Sequence, residues 1–208
     1  MKRLLLLLAI HLAGAGLCGC GGQAIAPDRL ATIPTFSVDK EVPLPAAPGY
    51  YGKAQMWGSA IGGAVGGAVM EGGNNDVPGR IKSYLEQEHV DVQQIVRSEF
   101  QQRLSTDPRF VNRVVDNGAA HFKLNVFVYG LFEAGIFHSG YKIWLGIQAT
   151  LVDSSGNTLW QDKNWVGLDS DIPAHAFDDY FSDPSVFAGT LKTGADEITE
   201  RLLNSLGH

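Results

Sequence analysis

The sequence predicts an α+β fold: an antiparallel sheet of three to four strands with two long helices packed on one face, preceded by a glycine-rich segment and an extended arm. Three observations carry this. His121 to Leu131 and Tyr141 to Val152 alternate apolar and polar side chains with the period of a strand. Asp153-Ser154-Ser155-Gly156-Asn157 supplies hairpin chemistry, with glycine where positive φ is needed. Val90 to Leu104 and Pro184 to Leu206 instead repeat their apolar residues every three or four positions, as amphipathic helices do.

The chain starts with Lys2-Arg3 and an apolar run from Leu4 to Leu12, followed by Leu17-Cys18-Gly19-Cys20. A positive start, a short apolar stretch and small residues before a cut site make a secretory signal peptide, because the run is shorter than the ~20 residues of a membrane span. The tetrapeptide resembles a bacterial lipobox. That resemblance implies a signal peptide over 1–19, cleavage before Cys20, and a covalent diacylglycerol and N-acyl lipid on Cys20, with no other cofactor. Gly21 stands where many inner-membrane lipoproteins carry Asp, so the implied address is the outer membrane, lipid-anchored and facing the periplasm. A Cys18-Cys20 metal site is a poor reading, because no downstream cysteine completes it.

Removing residues 1–19 from the 208-residue chain leaves 189, the size of one domain with an arm. The formal charge falls from −6 to −8 on loss of Lys2 and Arg3, and no basic stripe remains. Nucleic acid is therefore not an expected partner. The same charge is repelled by anionic headgroups, so membrane attachment is expected to come from the acyl chains.

Residues 20–53 contain Pro27, Pro34, Pro43, Pro45 and Pro48, a density that argues against helix and reads as a lipidated, extended tether. Phe36-Ser37-Val38 is at most a short edge strand. Residues 54–77 form a glycine-zipper segment. Gly58, Gly62 and Gly66 recur at four-residue spacing, with Gly63 and Gly67 beside them, a pattern suited to close helix packing in an oligomer or membrane, with a helix or hairpin packed on its own domain, or a flexible Gly-rich loop, as the alternatives. Five glycines cost a helix roughly 5 kcal/mol relative to alanine, so such a helix needs a partner. A phosphate-binding loop is a weaker reading, since no Gly-Lys-Ser/Thr follows.

The body, residues 78–208, opens with a polar helix from Pro78 to about Glu88. The helix from Val90 follows, with Val92, Ile95, Val96, Phe100 and Leu104 on one stripe, and Asp107-Pro108 ends it. Phe110 to Val115 reads as a short strand. In the next strand Phe122, Leu124, Val126 and Val128 are expected to point inward, and Lys123, Asn125, Phe127 and Tyr129 outward. Ile143, Leu145, Ile147, Ala149 and Leu151 form the inward set of the following strand, and Thr158 to Val166 returns as the third. Ser182-Asp183-Pro184 caps the last helix, whose buried side carries Phe187, Leu191, Ala195, Ile198, Leu202 and Leu206.

The run from the first amphipathic helix through Asp107-Pro108-Arg109-Phe110-Val111, Phe122-Lys123-Leu124-Asn125-Val126 and Leu151-Val152-Asp153-x-x-Gly156-Asn157-Thr158-Leu159-Trp160 resembles the amino-terminal domain of TolB-type proteins. It is also similar to auxiliary lipoproteins of envelope transport and export systems, including the PelC type. The resemblance implies no catalytic residues, an accessory or assembly role among other envelope proteins, and a homo-oligomer. A binding module for a lipid or polysaccharide in transit is the alternative.

The residues themselves give little chemistry. His89, His121, His138, His175 and His208 follow no zinc pattern, and no Gly-x-Ser-x-Gly elbow is present. Asp169, Asp171, His175, Asp178, Asp179 and Asp183 lack EF-hand spacing and read as a solvated acidic loop, so no metal is expected. Phe127, Tyr129, Trp144, Trp160 and Trp165 are the candidate partner surface, provided that helices cover only the other side of the sheet.

Overall fold

A computed structural model describes residues 24–52, 76–134, 140–168 and 170–206. Five strands form one mixed sheet: β1 (Phe36–Val38), β2 (Gly49–Tyr51), β3 (Ala120–Glu133), β4 (Tyr141–Asp153) and β5 (Thr158–Val166). The antiparallel meander β3-β4-β5 is as expected. β1 and β2 both run parallel to β3 on its other edge, pairing with its start and its end respectively.

The two long helices are α3 (Val92–Thr106) and α5 (Pro184–Ser205), preceded by α1 (Pro27–Thr32), α2 (Val77–Gln87) and the single turn α4 (Asp179–Ser182). Each longer helix starts on an aspartate whose carboxylate accepts a backbone N–H: Asp76 from Gly79 at 2.8 Å, Asp91 from Gln94 at 2.9 Å and Asp183 from Ser185 at 2.8 Å. Such caps satisfy amides that the helix leaves unpaired and contribute about 1 kcal/mol each. α3 buries Val92, Val96, Phe100 and Leu104; α5 buries Phe187, Leu191, Ala195, Ile198 and Leu202. The two helices run side by side in the same direction, tied by Arg103 to Asp196 at 3.2 Å and to Glu200. They cover the sheet face bearing Phe122, Leu124, Ile147, Leu151 and Trp160.

Two expectations are corrected. Phe110 to Val115 is not a strand but a series of turns, with Asn112 at φ 63°, and Val114 only bridges Phe36. This stretch follows directly on the Asp107 cap, and Phe110 turns inward to stack edge-on with Phe36 at 4.9 Å.

The arm over 24–52 is also not a loose tether. Proline does not exclude α1, because Pro27 sits at its first turn, where no N–H is needed. Ile25, Leu30, Phe36, Val38 and Val42 are buried in the common core. Between β1 and β2 the chain stays on the β3 edge: the Val126 amide donates to the Pro43 carbonyl at 3.0 Å. From α3, Gln93 and Arg97 donate to the carbonyls of Val42 and Asp39 at 2.6 and 3.1 Å. The segment is a strap that completes the sheet and covers an edge otherwise open to pairing.

Candidate interaction face

Register decides which side chains reach the side of the sheet that no helix among the described residues covers, its uncovered side. β3 and β4 pair in step from Ala120↔Asp153 to Val126↔Ile147 and then slip, so that Val128 faces Gly146 and Phe127 is the extra residue of a bulge. One inserted residue reverses the inward and outward sets beyond it. Tyr129 and Leu131 therefore turn into the core opposite Leu145 and Ile143, and Val128 turns outward. The expected placement of Tyr129 on the partner surface is overturned by this bulge. Burial, and secondarily the charge of Glu86, pushes its phenol pKa up. Trp160 is likewise not a surface residue: it pairs with Leu151 on the helix-covered face, and its ring meets that of Phe122 edge-on.

The other three predicted aromatics do converge on the uncovered side. The Phe127 ring lies across Gly146, where an added Cβ would come within 2.5 Å of it, and Trp165 pairs with Gly146 from β5. Trp144 is half-buried beside Gly49, whose own Cβ would sit 2.8 Å from the indole. Trp165 is 57% exposed, Leu168 41% and Phe127 38%, high values for large apolar side chains. Residues not foreseen extend the patch. Tyr51 stacks on Phe132 with centroids 4.9 Å apart, and both meet Trp144 edge-on, at 6.1 and 6.3 Å. Interior glycines at 130 and 146 of otherwise apolar strands are the sequence signal that a bulge or close approach occurs there.

The uncovered face is thus divided along its length. Toward Asp153 it presents His121, Lys123, Asn125, Gln148, Thr150, Gln161 and Lys163; toward Tyr141 it presents the aromatic group. In the polar half His121 Nδ1 lies 2.6 Å from Asp39 Oδ1.

Among the described residues β5 forms the other edge of the sheet, and two of its amides are bonded to side chains of the same strand. The N–H of Lys163 bonds the Asp162 carboxylate at 2.8 Å, and that of Trp165 bonds the Asn164 side-chain oxygen at 3.0 Å. Side chains occupying the donors make this edge a poor template for an added strand.

Other predicted positions do not assemble into a site. In the acidic segment Asp183 caps α5, Asp179 accepts from the Ala176 amide at 3.0 Å, Asp178 lies 3.7 Å from Arg80, and the His175 amide pairs with the Tyr141 carbonyl. Among the described residues no group of three or more His, Cys, Asp or Glu is placed to hold a metal ion. An open cleft of about 450 Å³ lies where the α2–α3 turn meets the start of α5, lined by Glu88, His89, Asp91, Ser185 and Lys192 among others. Cys20, Gly58, Gly62, Gly63, Gly66, Gly67 and Asp169 lie outside the described residues. No helix among the described residues is long and apolar enough to cross a membrane.

No family model and no curated protein matches the chain. Among solved structures it is similar to a Xanthomonas campestris protein of the family DUF330, at 11% identity and a TM-score of 0.46, with 81% of each chain covered. It is also similar to PelC of Paraburkholderia phytofirmans, crystallised as a dodecamer, at 11% identity and a TM-score of 0.33, covering 88% of this chain and 92% of that one. No residue role passes from either to this chain.

Proposed function

We propose that this chain is a lipid-anchored, periplasm-facing, non-enzymatic accessory component of an envelope transport or export complex, and that the aromatic half of its uncovered sheet face is where a protein partner docks. The supporting observation is that Trp165 and Phe127, both exposed, meet at Gly146 on the sheet face that no helix among the described residues covers, flanked by Trp144, Tyr51 and Phe132. Aromatic side chains present large contact area at small entropic cost, and a few central ones carry most of the energy of a protein interface. Anchoring through Cys20 to the outer membrane, and homo-oligomer formation through Gly58, Gly62, Gly63, Gly66 and Gly67, are part of the same reading and rest on the sequence.

Chemical crosslinking in whole cells tests it. The wild-type chain should give discrete adducts with envelope proteins, and the double variant Trp165→Ala/Phe127→Ala should lose them while remaining folded. A chain that stays monomeric and adduct-free in both forms removes the reading. The alternative, a module for a polysaccharide or lipid in transit, is favoured by the indoles of Trp144 and Trp165 on the same face, since an exposed indole suits stacking against a sugar ring. Native mass spectrometry after mild extraction would then show retained ligand, lost in Trp165→Ala.

A further inference from the structure

The seating of Ile25 fixes how far the body can stand from its anchor. Ile25 is only 2% exposed within the core, so four residues, 21–24, separate it from Cys20, a span of five Cα–Cα steps or at most ~18 Å. A tether running to residue 53 would reach ~110 Å. The point of attachment is also defined. α1 is held by Arg113, whose guanidinium donates to the carbonyls of Leu30, Ala31 and Ile33, and the β4–β5 hairpin reaches the same end of the sheet, where Asp153 pairs with Ala120 and Ala120 with Phe36. α1, the turns over 108–118 and this hairpin therefore make up one pole of the molecule, which also receives the C-terminal ends of α3 and α5 through Arg109.

On this pole Val111 and Val115, either side of Arg113, are 48% and 42% exposed. The segments that form this pole carry charges of both signs: Asp28, Arg29, Arg113, Asp116 and Asp153. Such a surface has apolar contact to offer a bilayer without a strong field of either sign. Trp144 lies nine residues along β4 from Asp153, about 30 Å away.

We propose that the pole bearing Val111 and Val115 rests on the lipid surface that holds the acyl chains, so that the aromatic face is carried some 30 Å from the bilayer and meets a protein partner instead of lipid. This rests on the reading of Cys20 as the lipidated residue. The short leash acts as an orienting device: it makes one end of the body membrane-proximal without any charge-based adhesion.

The test uses the full acylated chain in phosphatidylethanolamine/phosphatidylglycerol vesicles containing a headgroup-nitroxide lipid. V111C, V115C and Q94C, the last at the opposite end of α3, each carry an environment-sensitive fluorophore, and circular dichroism checks that each is folded. Quenching at V111C and V115C is expected to exceed that at Q94C by about 3-fold or more. A 15-residue Gly/Ser insertion between residues 23 and 24 should bring all three to the same level while the protein still floats with the vesicles. Equal quenching without the insertion, stronger quenching at Q94C, or no effect of the insertion overturns the orientation while leaving the anchor intact. A wild-type chain that neither takes up palmitate nor floats overturns the anchor, and the orientation with it.

Discussion

Phe127 lies across Gly146, the residue of β4 at which the register of the central hairpin slips by one. This contact marks the bulge that separates the polar from the aromatic half of the uncovered face. It also explains why Tyr129 and Leu131 are core residues although strict alternation puts them on the wrong side.

The bulge absorbs one extra residue without moving the core set beyond it. Phe127→Ala removes a side chain that is partly in water, and is expected to lower unfolding free energy by no more than about 1 kcal/mol. Deleting Phe127 places Val128 directly after Val126, opposite Gly146, and leaves Tyr129 and Leu131 facing Leu145 and Ile143, so the deletion is expected to fold and to cost no more than about 1–2 kcal/mol. Urea denaturation of the two variants is the measurement; a deletion that prevents folding would show that the hairpin needs the extra residue.

Gly146 should tolerate no side chain. Gly146→Val places a branched group where the Phe127 ring already sits, so the ring must leave the sheet. Overpacking of this kind costs typically 1–3 kcal/mol. The double variant Gly146→Val/Phe127→Ala should recover part of that loss, because the ring is gone while Val128 Cγ1, 2.8 Å from the added Cβ, stays. A double-mutant cycle by thermal melting checks the coupling, and simple additivity would exclude it.

The meander and both long helices were legible because each is written locally, as a two-residue or three-to-four-residue period, and so was the Asp183 cap; the Asp91 cap was not, because the apolar period starts already at Val90. What was not legible depends on partners distant in sequence. β2 exists because Gly130, at φ 149°, admits Gly49 so closely that a Cβ at Gly130 would come within 1.9 Å of the Gly49 carbonyl oxygen. Nothing in Pro48-Gly49-Tyr50-Tyr51 announces that partner. In the same way the five prolines of the arm describe its backbone correctly but say nothing of Phe36 and Val42, whose burial makes the arm part of the core. Of the candidate surface, Phe127, Trp144 and Trp165 were recoverable from alternation; Tyr129 was misplaced because the Phe127 bulge shifts the register before it, and Trp160 because, five residues from Trp165 in an unbroken pairing, it faces the opposite side.

The strap makes a sharp stability prediction. Phe36 is fully buried against Phe110 and Phe122, so Phe36→Ala is expected to cost about 3–5 kcal/mol, as in any well-packed core. A residue in a free tether would cost nothing. Trp160→Ala, on the covered face, should fall in the same range, whereas Trp165→Ala should change stability by less than about 0.5 kcal/mol. Chemical denaturation of the three variants distinguishes core from surface without reference to any partner.

Asp107 and Arg109 close the ends of both long helices. The Asp107 carboxylate accepts from Arg109 Nε at 3.0 Å and Nη2 at 2.6 Å, and the same guanidinium donates to the carbonyls of Leu203 and Leu206 at 2.8 and 2.7 Å. A cation at a helix C-terminus satisfies carbonyls the helix leaves open and offsets its dipole. The Arg109 hydrogen bond is the main cause that holds the Asp107 pKa below its ordinary value, against the opposing effect of burial. A carboxyl depressed in the folded state stabilises fully above its unfolded pKa of about 4, and that contribution disappears as pH falls through the lower folded value. Asp107→Asn should therefore cost about 1–3 kcal/mol at pH 7, the range for a charge-assisted hydrogen bond, and the gap to wild type should close between about pH 4 and pH 2. Denaturation midpoints of the two proteins across that interval are the measurement, and a gap that stays constant down to pH 2 would mean that the ionised carboxylate is not what joins the two helix ends.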